Sequence, residues 1–96
     1  RIMNQPIGKE EIKAKLEELN GWTQESGKLL KSYRFQDFRE AMSFLLRVSF
    51  EAEQRNHHPE VFNCYCDVKL WLSTHDAGGQ VTKKDFDLAK AIDSIA

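Results

Sequence analysis

Apolar residues recur at helical spacing in the first regular segment of the chain. Ile12, Leu16 and Leu19 lie about one helical turn apart among Lys and Glu residues. This spacing predicts an amphipathic helix over 9–20, and Asn20-Gly21 supplies a helix stop.

Two later segments show the two-residue alternation of apolar and polar positions that is typical of strands. A strand that starts at Trp22, a turn at 25–27 and a strand over 29–35 predict a first hairpin. Strands over 61–64 and 68–74 predict a second hairpin. Each hairpin therefore presents one apolar face.

The longest apolar segment lies between the hairpins and predicts a helix over 38–54, with Asp37 as its N-cap. On a helical wheel its apolar residues span about 240°, much more than the roughly 100° stripe of a surface helix. These residues are Phe38, Ala41, Met42, Phe44, Leu45, Leu46, Val48, Phe50 and Ala52. One sheet cannot cover that arc, so we expect the surplus face to bind a second copy of the chain. The alternative is a central helix that other elements surround within one crowded chain.

A capping box, Thr82-x-x-Asp85, opens a last helix with Phe86, Ala89 and Ile92 facing inward. The order helix, hairpin, helix, hairpin, helix predicts an α+β fold: a four-stranded antiparallel sheet with three helices packed on one face. With 96 residues, the chain is expected to form a single domain over 1–96.

Composition narrows the function classes. The chain has 14 basic and 15 acidic residues and a net charge of -1, without a basic stripe, so we expect no direct binding to nucleic acid or membranes. The absence of a long apolar run and of a signal pattern predicts a cytoplasmic protein. Cys64 and Cys66 are one residue apart, too close for an unstrained disulfide between them, and are expected to be free thiols.

All three histidines lie in two tetrapeptides, Asn56-His57-His58-Pro59 and Ser73-Thr74-His75-Asp76. Imidazole exchanges protons readily near neutral pH, so the pattern indicates acid and base catalysis. Pro59 disfavours a helical conformation at His58 and predicts an abrupt corner after the long helix. The second hairpin can bring His75 to the same end of the sheet.

A metal site is the main alternative, with His57, His58, Cys64, Cys66 and His75 as candidate ligands. Adjacent histidines tend to point apart, and the spacing matches no usual zinc pattern, so we expect no metal. Asp85 also has a complete structural explanation as part of the capping box.

These residues carry a resemblance to the pterin-4a-carbinolamine dehydratase family. The similar segments are Glu51–Glu60 (EAEQRNHHPE), Phe62-Asn63, Tyr65, Leu72–Gly79 (LSTHDAGG), Thr82-x-x-Asp85, Gly21-Trp22 and Phe35-x-x-Phe38. The resemblance covers essentially the whole chain. Val61 replaces an aromatic residue of animal members, and Gln80 is one extra loop residue.

The resemblance implies removal of water from a 4a-hydroxytetrahydropterin, such as 4a-hydroxytetrahydrobiopterin, giving the quinonoid dihydropterin in pterin recycling for aromatic amino-acid hydroxylases. It implies that His57, His58 and His75 are catalytic and that no cofactor is used. The residues expected to contact the pterin are Asn56, His57, His58, Ser73, Thr74, His75 and Asp76. Glu53, one helical turn before His57, is a candidate for orienting that ring, and the alternative is a solvated charge at the helix end. Pro59 and Asp85 are further candidates for support.

The resemblance also implies assembly. Family members form dimers joined edge to edge through their sheets, and these pair into tetramers through the long helix. In animals the same protein is a dimerisation cofactor of a homeodomain transcription factor. A binding module of this second kind would depend on Leu45 and Val48 and would work in the nucleus as well.

Overall fold

A computed structural model describes residues 5–96 of the chain. Its elements are helix α1 (Lys9–Glu17), strands β1 (Thr23–Glu25) and β2 (Lys28–Arg34), helix α2 (Phe38–Arg55), strands β3 (Glu60–Cys64) and β4 (Asp67–Leu72), a 3-10 helix (His75–Ala77) and helix α3 (Lys83–Ile95). The strands form one antiparallel sheet in the order β1-β2-β4-β3. The predicted α+β class, with three helices and a four-stranded antiparallel sheet, is confirmed.

The central strands β2 and β4 define the face that the helices cover. Leu29 lies opposite Leu72, and Tyr33 lies opposite Val68. Val68, Leu70 and Leu72 are fully buried, whereas Lys69 between them is exposed. The predicted two-residue period of β4 is therefore confirmed, and it places the core between this face and the helices.

Helix α2 begins as expected, because the side chain of Asp37 accepts a hydrogen bond from the backbone N–H of Glu40 at 2.8 Å. Its inner side buries Ala41, Phe44, Val48 and Ala52. A second set of apolar residues, the outer stripe, is 37–65% exposed. The outer stripe consists of Phe38, Met42, Leu46 and Phe50. The alternative of a helix surrounded within one chain is therefore wrong.

The ends of three elements differ from the prediction. Helix α1 stops at Glu17 instead of Asn20, because the N–H groups of Glu18 and Leu19 bond to carbonyls three residues back and tighten the last turn. Strand β1 starts at Thr23, after the buried Trp22. Strand β4 ends at Leu72, opposite Leu29, and beyond it the N–H of Thr74 bonds to the carbonyl of Gln80 instead of to β2.

A polar cluster ties β2 to α3 on the covered face. The carboxylate of Asp93 accepts hydrogen bonds from Trp22 Nε1 at 3.0 Å, from Lys31 Nζ at 2.9 Å and from the Tyr33 hydroxyl at 2.8 Å. Burial, followed by the hydrogen bond and the charge of Asp93, raises the pKa of Tyr33 far above its usual range. Tyr33 is therefore a neutral hydrogen-bond donor in the folded chain.

Cys64 and Cys66 are free thiols: Cys64 ends β3, and Cys66 lies in the turn before β4.

Within residues 5–96, no helix is both long enough and apolar enough to cross a membrane.

Candidate active site

The first tetrapeptide forms a sharp corner after α2. Asn56 adopts the left-handed conformation at φ 50°, which asparagine tolerates better than most residues. The N–H of His57 donates to the carbonyl of Ala52 at 3.0 Å and closes the helix end. The chain then enters β3 directly after Pro59. The predicted helix-to-strand corner is present, and it fixes the backbone of His57 and His58.

The second tetrapeptide follows the end of β4 and forms a closed loop. The N–H of Thr74 donates to the carbonyl of Gln80 at 2.9 Å, and the N–H of Gly79 donates to the carbonyl of Thr74 at 2.9 Å. Gly78 makes the reversal at φ 70°, which is unfavourable for other residues. A 3-10 helix, His75–Ala77, lies inside this loop.

The two tetrapeptides line one cavity of about 310 Å³. The residues around it are Asn56, His57, His58, Ser73, Thr74, His75, Asp76 and Lys84. All seven residues expected to contact a substrate are among them. The hairpin thus brings the three histidines to one end of the sheet, and the cavity is open to solvent on the side of His58 and His75, both of which are exposed.

His57 is the buried imidazole of the group, and its ring is held by a carboxylate. Its Nε2 lies 2.6 Å from Oδ1 of Asp85, which is completely buried. A buried carboxylate is costly unless its oxygens receive hydrogen bonds. Asp85 is therefore more than a helix cap, and the view that capping explains it completely is corrected.

Thr74 and Thr82 complete the environment of Asp85. Its Oδ2 accepts hydrogen bonds from the Thr82 N–H at 2.9 Å and from the Thr74 hydroxyl at 2.8 Å. Because that hydroxyl has one proton, Thr82 must be the donor in the 2.6 Å contact between the two hydroxyls. The tautomer of His57 with its proton on Nε2 donates to Oδ1 of Asp85 and keeps Nδ1 as an acceptor.

Glu53 contacts a different histidine from the one predicted. Its Oε1 lies 2.9 Å from Nε2 of His58, so the expectation that Glu53 orients the ring of His57 is wrong. The reason is that the ring of His57 points inward toward α3, where Asp85 occupies its Nε2. His58 and Glu53 are both exposed, which makes their pair weaker than the buried one.

Thr74 lines the cavity but is only 1% exposed. Its hydroxyl and its backbone N–H and C=O are all bonded within the protein. Its main effect is to fix the positions of Ser73 and His75. Pro59 lies outside this cavity, in an apolar groove between α2 and β3 that it shares with His58 and Val61.

The cysteines do not join the histidines. Cys64 and Cys66 lie at the opposite end of the β3–β4 hairpin from His58 and His75. In the part of the chain that the structure describes, no three His, Cys, Asp or Glu side chains are grouped to hold a metal ion. The metal alternative therefore has no geometric support, and the absence of a metal requirement stays a prediction.

Sequence reasoning missed two features of the site. Lys84 lines the cavity from the first turn of α3, and only its place two residues after the N-cap Thr82 could have suggested this. The contact between His57 and Asp85 joins residues 28 positions apart, so no local pattern indicates it. The finished site combines three imidazoles with hydroxyl, amide, carboxylate and ammonium groups, a set suited to proton transfer on a polar heterocycle.

Comparison with known proteins agrees with this chemistry. The family model described as Pterin 4 alpha carbinolamine dehydratase matches residues 5–95. A protein from Opitutus terrae with the provisional name pterin-4-alpha-carbinolamine dehydratase is 54% identical over 86 residues, covering 90% of this chain and 89% of that protein. One from Christiangramia forsetii with the same provisional name is 44% identical over 94 residues, covering 98% of this chain and 95% of that protein.

The fold comparison gives the same result. The crystal structure of a transcriptional coactivator/pterin dehydratase from Brucella melitensis has a TM-score of 0.89 and 33% sequence identity, covering 95% of this chain and 98% of that one. Family model, relatives and fold all cover nearly the entire chain. This chain therefore belongs to the pterin-4α-carbinolamine dehydratase family.

Proposed function

We propose that this protein removes water from a 4a-hydroxytetrahydropterin and releases the quinonoid dihydropterin, as required to recycle the pterin of aromatic amino-acid hydroxylases. The observation that carries this proposal is the convergence of His57, His58 and His75 on one polar cavity of about 310 Å³. Family membership supports the same activity.

The reaction needs both a proton donor and a proton acceptor. The bond from C4a to its hydroxyl breaks, and the oxygen leaves with an added proton as water. N5 loses its proton, and the electron pair of that N–H bond forms the C4a=N5 double bond. Positioned acids and bases each accelerate such steps by roughly 10²- to 10⁴-fold. The loss of water transfers no electrons to or from the pterin, so no redox cofactor takes part.

His57 suits the role of proton acceptor at N5. Asp85 accepts the hydrogen bond from Nε2 and leaves the lone pair of Nδ1 available. The buried pair also keeps the ring in one orientation, because a rotation would strand the carboxylate of Asp85 without its donor. His57 thus acts from a fixed position.

His58 and His75 are the candidates for the proton donor at the leaving oxygen. Both are exposed at the cavity mouth, where they can exchange protons with water. Glu53 holds the ring of His58. Asn56, Ser73 and Asp76 supply polar groups for the pterin ring, and Thr74 keeps the loop that carries them in place.

A dehydration assay with chemically generated 4a-hydroxytetrahydropterin tests the proposal, with the uncatalysed rate subtracted. The protein should accelerate the reaction equally with and without a chelator, and His75→Ala should lower kcat by roughly 10²- to 10⁴-fold. No acceleration by the wild-type protein would refute the function. If the purified protein held stoichiometric zinc and the chelator removed the zinc together with the activity, the metal-free mechanism would be refuted. A His75→Ala variant that changed only KM would show that this residue takes no part in the chemical step.

We further propose that the outer stripe of α2 pairs with α2 of a second copy in a dimer or tetramer. Phe38, Met42, Leu46 and Phe50 are spaced four residues apart and read nearly the same in both directions. A two-fold axis between antiparallel helices therefore places Phe38 against Phe50 of the second copy and Met42 against Leu46. Such self-complementarity favours a second copy as the occupant.

A role as a protein-binding cofactor of a transcription factor is the second candidate function. The relative from Brucella melitensis is named both coactivator and dehydratase, and the outer stripe is an exposed apolar surface that a partner helix could use. Val48 is buried in the core and Leu45 is half-buried, so such binding would depend on Leu46 and Phe50 instead.

We propose that the protein works in the cytoplasm, a reducing compartment that suits its free thiols, and also in the nucleus if it binds a transcription factor.

A further inference from the structure

Within residues 5–96, the outer edge of β3 pairs with no other strand. Hydrogen bonds alternate along β4: the N–H of Phe35 donates to the carbonyl of Cys66 at 2.8 Å, so Cys66 and every second residue after it bond to β2. The residues between them bond to their partners in β3. By the same alternation, the main-chain N–H and C=O groups of Val61 and Asn63 point away from the sheet.

The two edge strands of the described sheet differ in character. Strand β1 consists of three polar residues, whereas β3 exposes Val61 by 50% and Phe62 by 46%. Natural proteins often protect an edge strand with a lysine or a proline, and β3 contains neither. An unprotected apolar edge of this kind is expected to pair with another strand.

A two-fold axis limits how β3 can pair with β3 of a second copy. With the axis at Phe62, Val61 lies opposite Asn63 of the second copy, and such a pair exchanges both of its main-chain hydrogen bonds. An axis at Val61 would set Asn63 opposite Pro59, which has no N–H to donate. An axis at Asn63 would set Val61 opposite the turn at Tyr65. The axis at Phe62 therefore satisfies the outward-facing groups of both strands best.

This register brings the turn of the second copy to a groove beside the proposed active site. Continued by the same count, the pairing sets Tyr65 of the second copy opposite Pro59, which lines the apolar groove between α2 and β3. The groove has a volume of about 260 Å³. Residues that line it include Leu45, Val48, Pro59 and Val61, and also Glu53 and His58.

Tyr65 is an unfavourable residue for the turn that it occupies in a single chain. Its side chain is 78% exposed, and its backbone φ is 59°, a conformation that bulky residues rarely adopt. Asparagine or glycine would fit this turn with less strain. A ring that covered the apolar groove of a second copy would offset the strain by burying apolar surface.

We propose that two copies pair through β3 and that Tyr65 of each copy covers the groove of the other, acting as a positioning residue for His58. In the single chain the pair of Glu53 and His58 is exposed, which weakens it. A ring over the groove excludes water from one side of this pair and strengthens the 2.9 Å contact between Glu53 Oε1 and His58 Nε2. The candidate proton donor is thus held in place only in the paired form. Its catalytic part rests on the proposed dehydratase function, whereas the pairing does not.

Cysteine cross-linking tests the pairing and its register. The background carries Leu46→Glu, which removes the proposed contact between outer stripes, and Cys64→Ser and Cys66→Ser, which remove the free thiols. In this background, Phe62→Cys should form a disulfide-linked dimer on mild oxidation, because the axis sets the two Cα atoms roughly 4.5 Å apart, within the range of a disulfide. Phe62 is partly exposed in the single chain, so the variant should fold.

Lys69→Cys is the matched control in the same background. Lys69 is exposed and lies opposite Phe62 on β4, one strand further from the axis, so its cysteine should cross-link far less. Equal cross-linking of the two variants, or none of Phe62→Cys, would overturn the inference.

Tyr65→Asn tests the effect on His58. Asparagine suits the left-handed turn, so the chain should fold, but the ring over the groove is lost. We expect kcat to fall roughly three- to tenfold, the worth of one strengthened hydrogen bond, with little change in KM. Tyr65→Phe is the conservative variant and should keep the kcat of the wild type, because the ring and not the hydroxyl covers the groove.

Dilution gives a second readout that a purely structural role of Tyr65 would not change. In the Leu46→Glu background, kcat per chain should fall toward the value of Tyr65→Asn as the dimer dissociates, which analytical ultracentrifugation follows. An unchanged kcat in Tyr65→Asn, or a kcat that stayed constant while the dimer dissociated, would overturn the role of Tyr65. Failure of the wild-type protein to dehydrate the substrate would instead refute the proposed function, and cross-linking would still decide the pairing.

Discussion

At the scale of single residues, Asp85 links the stability of a helix to the orientation of a proposed catalytic ring. Its Oδ2 caps α3 through the Thr82 N–H, while its Oδ1 receives Nε2 of His57. Every hydrogen bond it makes is one it accepts. The site therefore requires a group with acceptors on both atoms, which among isosteric side chains only the carboxylate provides.

Asp85→Asn tests this requirement. The amide places an NH₂ group where only donors approach, so one buried donor loses its partner or His57 changes tautomer. We expect kcat to fall by roughly 10²- to 10⁴-fold, because Nδ1 is no longer a free acceptor. Stopped-flow dehydration kinetics measure the loss, and circular dichroism checks that the fold persists.

Thr82→Ala is the control for this variant, since it removes the side-chain cap but leaves the contact of Asp85 with His57. It should lower the free energy of unfolding by about 1 kcal/mol and reduce kcat much less than Asp85→Asn does. Equal losses of kcat in the two variants would mean that Asp85 acts only through the helix end.

At the scale of elements, the polar cluster around Asp93 shows how hydrogen bonds stabilise a carboxylate that lies between the helices and the sheet. Trp22, Lys31 and Tyr33 approach one carboxylate at the C-terminal end of α3. Lys31 also donates to the carbonyl of Asn20 at 2.6 Å and so secures the turn that follows α1. The cluster therefore joins the turn after α1, strand β2 and helix α3.

Tyr33→Phe should lower the free energy of unfolding by roughly 1 kcal/mol at pH 8, through loss of the hydrogen bond to Asp93. The pKa of Tyr33 is higher in the folded chain than in the unfolded chain. Its contribution is therefore complete below about pH 10, the usual value, and declines as the pH rises further, since the unfolded chain releases the proton first. Urea denaturation at pH 8 and pH 11 measures both effects.

Tyr65→Phe is the control, because Tyr65 is exposed in the turn between β3 and β4 and should contribute little at pH 8. If Tyr33→Phe and the wild type differed equally in stability at pH 8 and pH 11, the raised pKa of Tyr33 would be refuted.

At the scale of the whole molecule, the outer stripe and the active site lie on different surfaces. The outer stripe follows the exposed side of α2, whereas the cavity of the proposed active site begins only beyond its C-terminal end at Asn56. Assembly through the stripe can thus leave the cavity open to substrate.

Leu46→Glu should disrupt the proposed assembly. Leu46 is 58% exposed in the single chain, so the monomer should tolerate the change, whereas an interface would have to bury an unpaired carboxylate. Analytical ultracentrifugation at micromolar concentration should show a dimer or tetramer for the wild type and a smaller species for the variant. Leu46 is a better test than Leu45, which packs against the core.

Gln54→Glu is the matched control, since it adds the same charge to an exposed polar position of α2 and should leave the assembly intact. A monomeric wild-type protein would contradict the assembly proposal. It would leave the outer stripe to a heterologous partner, the second candidate function.

The sequence by itself determined the class of the fold and seven of the eight residues around the cavity. Periodicity predicted α2 and the alternation of β4, and a local motif predicted the capping box at Thr82, because these features depend on residues that are close along the chain. The two histidine tetrapeptides were recognisable for the same reason. The family resemblance added the reaction, which the spacing of the histidines could not specify.

Only the tertiary structure decided which side chains pair. Asp85 contacts His57, and Glu53 contacts His58. Proximity along the chain had favoured His57 as the partner of Glu53. The end of β4 likewise depends on tertiary structure, because the N–H of Thr74 bonds to the carbonyl of Gln80 in the loop that follows. Lys84 and Asp87 line cavities only because α3 packs beside the corner at Asn56. Local patterns specify elements, whereas the direction of a side chain across an interface depends on the packing of the entire core.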